Sequence, residues 1–321
     1  SGAGSGPRAV VFARDSIYEV VSYSFRPDVY RANPATDYEF STNSLGFRDE
    51  EVALPKPPGV YRIVCPGGST TMLGPRNELT YPNILERKLC AYFDTDRIEV
   101  INCGVLGLPT AGERKRMPDY LALEPDLILH YNFINDVTTE LPALLETQGW
   151  RAEPVKTAKA WLRKSNFLRS YCNWWLLPAR SVLSDFLDRT TLDNIESMVQ
   201  AARTRGVDFA LCSFEAPDIA SLEREERWFF DYQIRHLLYG WRVNTVSYAR
   251  LVAMYNAKVR RLCEREDLLY VPVAEHLGTH PEFFSDICHL FTRGIVYKAD
   301  VIFEHLKGYV ERRLPQTESE S

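Results

Sequence analysis

The sequence has no long apolar run, no excess of basic residues and no paired cysteine motif. No stretch approaches the roughly 18 consecutive apolar residues that suggest a transmembrane helix. Lys and Arg number 38 against 43 Asp and Glu, which leaves a net charge of -5 in 321 residues. This balance gives no electrostatic reason to expect nucleic acid or an anionic membrane as a partner. The composition is instead typical of a globular protein with one large α/β domain or two smaller ones.

The seven cysteines are scattered, and none belongs to a C-x-x-C pair. Neither a zinc site nor a disulfide framework is therefore predicted. Reduced thiols favour a cytoplasmic setting. Residues 1–6, "SGAGSG", resemble an expression scar, so a secreted or membrane-tethered protein with a trimmed leader is the alternative.

Beyond residues 1–6, the chain divides into three further parts. Residues 7–58 are rich in turn signals and predict an irregular or β-rich N-terminal extension, and residues 315–321 predict a disordered tail. Residues 59–314 predict the main domain, with insertions at about 138–190 and 215–247 that exceed ordinary connections. The insertions are interpreted either as lids over a substrate pocket or as helices packed on the sheet. The first insertion contains several tryptophans: Trp150, Trp161, Trp174 and Trp175.

Short apolar runs alternate with amphipathic stretches after residue 59. The runs predict strands at 60–65, 97–103, 126–134, 207–214 and 268–273, and continuous apolar runs are typical of parallel strands buried on both faces. Helices are predicted at 81–93, from a cap at Thr191 to Gly206, and at 246–267. This alternation predicts a doubly wound α/β sheet, in which ligands bind beyond the carboxyl ends of the strands.

The first of these strands ends in "GGST", which places Ser69 after Gly67 and Gly68. Glycines allow a sharp turn and keep side chains away from a ligand. A serine presented there becomes a nucleophile only if a base takes its proton. No lysine follows the glycines, so the segment is not a P-loop. The alternative is an ordinary turn.

Three further segments carry candidate functional groups. "NCGVLG" (102–107) follows the second strand, and its glycines either aim a backbone N–H into a site or form an ordinary turn. Asn135 and Asp136 close the third predicted strand, where an amide can stabilise an oxyanion or cap a helix. Near the C-terminus, Asp286 precedes His289 by three residues, and a carboxylate there would fix the tautomer of the imidazole.

In this order the segments resemble the four blocks of the SGNH, or GDSL-type, serine hydrolase superfamily. The match falls on Ser69, Gly104, Asn135, and Asp286 with His289. The resemblance implies a flavodoxin-like three-layer α/β/α fold with a central parallel sheet, and ester hydrolysis through an acyl-enzyme. Ser69 would attack, His289 would act as base and then acid, and Asp286 would orient His289. The oxyanion would bind the N–H of Ser69, the N–H of Gly104 and the amide of Asn135, with no cofactor and no metal.

The sequence departs from the family pattern at two positions. Gly68 stands where the family name has Asp, and Phe133 stands two residues before Asn135, where glycine is usual. A ring beside that amide is expected to narrow the acyl pocket or tilt Asn135.

Several functional alternatives remain open at this level. The substrate class is a small-molecule, glycan or lipid ester, with carbohydrate O-acyl groups, lipid acyl groups and thioesters all compatible. The same triad would also serve an acyltransferase that uses an alcohol acceptor. A catalytically silent binding module and a cysteine nucleophile at Cys103 or Cys288 are the other hypotheses.

Overall fold

The computed structural model describes most of the chain between residues 38 and 314. Its described residues are 9–11, 19–21, 24–25, 30–33, 38–141, 143–144, 180–218, 222–237 and 245–314. The predicted scar, the predicted tail and the four tryptophans of the first insertion lie outside the described residues.

A parallel sheet of five strands forms the centre of the described structure. Its strands are β6 (Tyr61–Gly67), β7 (Ile98–Gly104), β8 (Leu127–His130), β9 (Asp208–Cys212) and β10 (Leu269–Val271). They lie side by side in the order β10-β9-β8-β6-β7. The first two pair in register from Tyr61 opposite Ile98 to Gly67 opposite Gly104. All residues of β6 are buried, as expected for a strand covered on both faces.

Short antiparallel strands precede this sheet. They are β1 (Ala9–Val11), β2 (Glu19–Val21), β3 (Ser24–Phe25), β4 (Tyr30–Asn33) and β5 (Tyr38–Ser41). The first three form one small sheet, and β4 pairs with β5.

Helices connect the strands of the main sheet and cover it. They are α1 (Ser69–Met72), α2 (Tyr81–Phe93), α3 (Thr110–Lys115), α4 (Met117–Ala122), α5 (Arg180–Phe186), α6 (Asp193–Arg203), α7 (Arg224–Leu237), α8 (Thr245–Glu266), α9 (Val273–Leu277) and α10 (Thr292–Glu311). Helix α2 packs against α10, whereas α3 and α4 pack against α6. A sheet between two helical layers is a three-layer α/β/α architecture, and the predicted fold class is confirmed. Among the described residues, no helix has both the length and the apolarity needed to span a bilayer.

The N-terminal segment packs against the end of the sheet where Ser69 lies. Phe40 of β5 is fully buried and clusters with Met72, Val105 and Leu108. Arg48, also fully buried, donates hydrogen bonds to the carbonyl oxygens of Met72 and Gly74 at 2.9 Å each. Residues outside the central sheet therefore support the short helix that begins at Ser69.

Two predicted boundaries are wrong. Thr191 does not cap a helix, because the chain is already helical from Arg180 and Thr191 lies inside a π-helical turn, Leu187–Leu192. The third strand ends at His130, so Asn135 and Asp136 do not close it but lie in the helical turn that follows. Both errors arise because a continuous apolar run does not show where one kind of backbone ends and another begins.

Candidate active site

Ser69 lies immediately beyond the carboxyl end of β6, at the first position of α1. Gly67 and Gly68, which precede Ser69, stand where the structure leaves no room for a side chain. A Cβ on Gly67 would lie 2.0 Å from Thr71 Oγ1, and a Cβ on Gly68 would lie 2.1 Å from Asn135 Nδ2. The turn therefore brings the backbone before Ser69 into direct contact with the amide of Asn135. This close approach also explains the departure at Gly68, because an aspartate has no room there.

The structure brings Ser69, His289 and Asp286 together. Ser69 Oγ lies 2.7 Å from His289 Nε2, although the two residues are 220 positions apart in the chain. On the other side of the ring, His289 Nδ1 lies 2.6 Å from Asp286 Oδ2. Ser69 is only 4% exposed, whereas the side chains of His289 and Asp286 are partly exposed. The hydroxyl, imidazole and carboxylate thus form one continuous hydrogen-bonded chain.

Asp286 is held in its ionised form. Burial by itself would raise its pKa, but the His289 side chain and the backbone N–H groups of Cys288 and His289 lower the pKa to about 2. Asp286 Oδ1 accepts those two N–H groups at 2.9 and 2.8 Å. An ionised carboxylate can only accept hydrogen bonds, so Nδ1 of His289 carries a proton. Nε2 of the neutral ring is then free to accept the hydroxyl proton of Ser69.

Gly104, one of the three predicted oxyanion donors, has an N–H that is already occupied. That N–H donates to Asn102 Oδ1 at 3.0 Å. A Cβ on Gly104 would lie 2.5 Å from the backbone nitrogen of Met72, so the glycine allows β7 and α1 to approach each other. Its position is explained by packing, and its N–H does not face an open site.

Gly107, three residues later, was not predicted from the sequence. It is exposed and has a positive φ of 72°, and a Cβ at this position would meet nothing within 4 Å. Among the described residues, no backbone acceptor reaches its N–H. The next residue, Leu108, offers its carbonyl oxygen to Asn135 Nδ2 at 3.0 Å, which places Gly107 beside that amide. The signal in the sequence was the second glycine of "NCGVLG".

Asn135 lies at the site, but its amide is hydrogen-bonded within the protein. Besides Leu108, Nδ2 donates to Asn132 Oδ1 over a longer distance of 3.3 Å. Asn132 in turn donates to the same Leu108 oxygen at 2.7 Å. These contacts fix the orientation of the Asn135 side chain. The contact with Asn132 is the longer of the two, so it is the weaker competitor for an incoming oxyanion.

Phe133 does not narrow the site as expected from the sequence. Its ring is fully buried and stacks on Tyr255 at 4.2 Å, with Phe214 at its edge. The Tyr255 hydroxyl donates to the carbonyl oxygen of Asn132 at 3.0 Å. The aromatic residue therefore belongs to the core that supports the 132–135 turn.

The cysteine alternatives have little support from the geometry. Cys103 is fully buried, and burial raises the pKa of its thiol well above the usual range. Burial, followed by the charge of Asp286, does the same for the pKa of Cys288. Cys288 Sγ lies 3.7 Å from Nδ1 of His289, the nitrogen that Asp286 already holds. Neither thiol is placed to give its proton to Nε2.

Asp286, Cys288 and His289 also form a cluster whose possible ligand atoms lie within 4.8 Å of one another. A metal would need the thiolate of Cys288, which burial disfavours, and would break the hydrogen bond between Asp286 and His289. The cluster is better explained by proton transfer through His289.

A second histidine–acid pair lies away from Ser69. His130 Nε2 is 2.9 Å from Glu113 Oε2, and both side chains are 0% exposed. Nearby, Asp136 accepts the N–H and the hydroxyl of Thr110 at 3.0 Å each, so it caps α3. Because both side chains are fully buried, this pair is not accessible to a substrate in solution.

Comparison with known proteins finds matches of structure only. No protein-family model and no curated protein matches the chain. Matched structures include a lipase/acylhydrolase from Enterococcus faecalis, with a TM-score of 0.48, 15% identity, and coverage of 81% of this chain and 100% of the other. An acetyl xylan esterase variant from Geobacillus stearothermophilus has a TM-score of 0.48, 14% identity, and coverage of 77% and 96%. A member of the lipolytic G-D-S-L family from Veillonella parvula has a TM-score of 0.44, 12% identity, and coverage of 76% and 97%. All three TM-scores are below 0.5, so these similarities do not establish the activity of this chain.

Proposed function

We propose that the chain is a serine hydrolase that cleaves an ester through an acyl-enzyme. The observation that carries this proposal is the continuous hydrogen-bonded chain of Ser69 Oγ, the His289 ring and Asp286, with contacts of 2.7 and 2.6 Å. A serine hydroxyl is a weak nucleophile until an adjacent base accepts its proton. His289 Nε2 is within reach of that proton, and Asp286 stabilises the imidazolium that forms.

The reaction begins when Ser69 Oγ attacks the ester carbonyl and its proton moves to His289 Nε2. The tetrahedral intermediate then collapses as His289 returns the proton to the leaving alcohol. His289 Nε2 then takes a proton from a water molecule, which attacks the carbonyl carbon of the acyl-Ser69 ester. As the acid leaves, His289 returns that proton to Ser69 Oγ, which restores the enzyme with no cofactor in the cycle.

The oxyanion of the intermediate is assigned to three donors around Ser69. They are the N–H of Ser69 at the start of α1, the N–H of Gly107, and the amide of Asn135. Gly107 replaces the predicted Gly104 because the N–H of Gly104 already donates to Asn102. Removal of one such donor in serine hydrolases costs about 10²–10³ in kcat.

Hydrolysis of p-nitrophenyl esters with acyl chains of two to twelve carbons tests the proposal. Ser69→Ala is expected to lose about 10⁴–10⁶ in kcat, as nucleophile removal does in triads. Ser197→Ala, which changes a serine on α6, is the matched control and should retain full activity. The chain-length optimum would separate an acetyl esterase from an acylhydrolase for longer chains.

A fluorophosphonate probe provides a second readout that does not depend on the ester chosen. Wild type should gain covalent mass on Ser69, and Ser69→Ala should gain none. Labelling without hydrolysis would point to transfer of the acyl group to an alcohol acceptor, tested by adding alcohols to the assay. Neither labelling nor hydrolysis would mean that the proposal is wrong and the site is a silent binding module.

A further inference from the structure

A buried ion pair lies next to the turn that carries Ser69. Lys298 of α10 is 2% exposed, and Glu215, in the segment after β9, is 0% exposed. Lys298 Nζ and Glu215 Oε1 are 3.3 Å apart. Replacing a buried ion pair with apolar residues of similar size is often neutral or stabilising, so such a pair is weak evidence of a role in stability. Its location suggests a role in the site.

Lys298 is bonded to the turn that presents Ser69. Its Nζ donates to the carbonyl oxygen of Thr70 at 3.2 Å and lies 4.2 Å from the ring centre of Tyr131. Helix α1 has only four residues, so its carbonyl groups lack the partners that a longer helix supplies. Helix α10, which carries Lys298, begins three residues after His289. One side chain therefore links the serine turn to the segment that holds the histidine.

Glu215 is the acidic partner of Lys298. Burial raises the pKa of Glu215, whereas the charge of Lys298 opposes that rise. Burial lowers the pKa of Lys298, and Glu215 opposes this change. The second oxygen of Glu215, Oε2, is buried and has no hydrogen-bond partner among the described residues.

The other ionisable groups described near His289 belong to its own loop and to α8. Asp286 and Cys288 are in the loop, and Tyr248 of α8 interacts with both of them and with Glu215. Burial raises the pKa of Tyr248 and of Cys288 well above the usual ranges, so both are neutral near pH 7. The acidic group of this loop, Asp286, lies 2.6 Å from His289 Nδ1.

We infer that Lys298 and Glu215 are positioning residues of this site. Lys298 holds the Ser69 turn through Thr70, and Glu215 holds the ammonium group of Lys298 in its charged form and in position. Neither residue touches the reacting atoms. The inference rests on the proposed serine hydrolase function, but its first test does not require turnover.

The rate of fluorophosphonate labelling at Ser69 tests the role of Glu215. Without its acidic partner, the Lys298 ammonium group loses a contact that holds it against Thr70, so Glu215→Gln should slow labelling at least about tenfold. Glu304→Gln is the matched control, because Glu304 forms an exposed pair with Lys307 on α10. An unchanged labelling rate in Glu215→Gln would overturn this half of the inference.

Kinetics with ester substrates test the role of Lys298. Lys298→Met should lower kcat at least about tenfold with little change in KM, because a looser Ser69 turn impairs attack and not binding. Lys307→Met is the control on the same helix and should leave kcat unchanged. Equal kcat in Lys298→Met and wild type would overturn the proposed positioning by Lys298.

The double variant Lys298→Met/Glu215→Gln distinguishes a loss of positioning from a loss of folding. Each single variant leaves one unpaired charge in the core and can unfold the protein, whereas the double variant has none. A folded double variant with wild-type kcat and labelling rate would show that the pair is only structural. Failure of the double variant to fold would assign the pair to stability and also overturn the inference. If wild type is labelled but hydrolyses no ester, and labelling still slows in Glu215→Gln, the proposed ester hydrolysis fails and the positioning role stands.

Discussion

Replacing Asp286 by asparagine should nearly abolish ester hydrolysis without changing the shape of the site. The carboxylate accepts three hydrogen bonds, from His289 Nδ1 at 2.6 Å and from the backbone N–H groups of Cys288 and His289 at 2.9 and 2.8 Å. An asparagine can keep the backbone contacts only through its carbonyl oxygen. Its NH₂ group then faces Nδ1 of the histidine.

This exchange selects the wrong tautomer of His289. When Nδ1 accepts a hydrogen bond from the introduced amide, the ring proton moves to Nε2, which faces Ser69 Oγ at 2.7 Å. Nε2 can then no longer accept the hydroxyl proton. In a serine protease triad the same change costs about 10⁴ in kcat. That factor corresponds to about 5 kcal/mol of transition-state stabilisation.

The assay is the pre-steady-state and steady-state hydrolysis of the best p-nitrophenyl ester, with fluorophosphonate labelling as a second measure of nucleophilicity. Glu282→Gln is the matched control, because Glu282 also pairs with a histidine, His280, at 3.1 Å, but at an exposed position in the same region. The control should keep wild-type kcat. If Asp286→Asn retains kcat and labelling rate within tenfold of wild type, the assignment of Asp286 is wrong.

Two further predictions concern the space and the ionisation around the site. Gly68→Ala should lower kcat by about 10²–10³, because its Cβ would lie 2.1 Å from Asn135 Nδ2 and displace an oxyanion donor. The control is Gly308→Ala on α10, whose Cβ would meet only Arg312 Nη1 at 3.8 Å and which should keep wild-type kcat. Equal kcat in both variants would contradict this prediction. The pKa of Asp286 is about 2 in the folded protein against about 3.9 when unfolded, so its ionisation contributes about 2.5 kcal/mol above pH 4 that is lost as the pH falls from 4 to 2. Urea unfolding should therefore show the stability difference between wild type and Asp286→Asn shrinking in that window, and a difference that stays constant from pH 5 to pH 2 would count against the depressed pKa.

The elements that depend on local pattern were predictable. The runs that became β6 and β7 were identified to within two residues, since a buried parallel strand is apolar at every position. Asp286 and His289 are only three residues apart, so their pairing could be predicted from their spacing in the sequence. The predicted strand beyond His130 was wrong because apolarity continues through Phe133 and Ile134, where burial comes from a helical turn and aromatic packing.

The choice between Gly104 and Gly107 could not be made from the sequence. Both glycines follow the same strand, and what separates them is the Asn102 side chain that occupies the N–H of Gly104. The direction of the Phe133 ring could not be predicted from the sequence either, because it depends on packing against Tyr255 and Phe214 in the core. Side-chain direction at such positions depends on neighbours far away in the chain.

By itself, the sequence determined the α/β class, the end of the first parallel strand beyond which Ser69 lies and the chemical types available at the other candidate positions. Hydrophobic periodicity and glycine placement are local properties that can be read from consecutive residues. Only the tertiary structure decided that Ser69 meets His289 across 220 positions, that Asn135 leaves no room for a side chain at Gly68, and that Lys298 and Glu215 form a pair behind them. These contacts join segments that lie far apart in the chain. Packing of the helices on the sheet brings the segments together, and their spacing in the sequence does not show this.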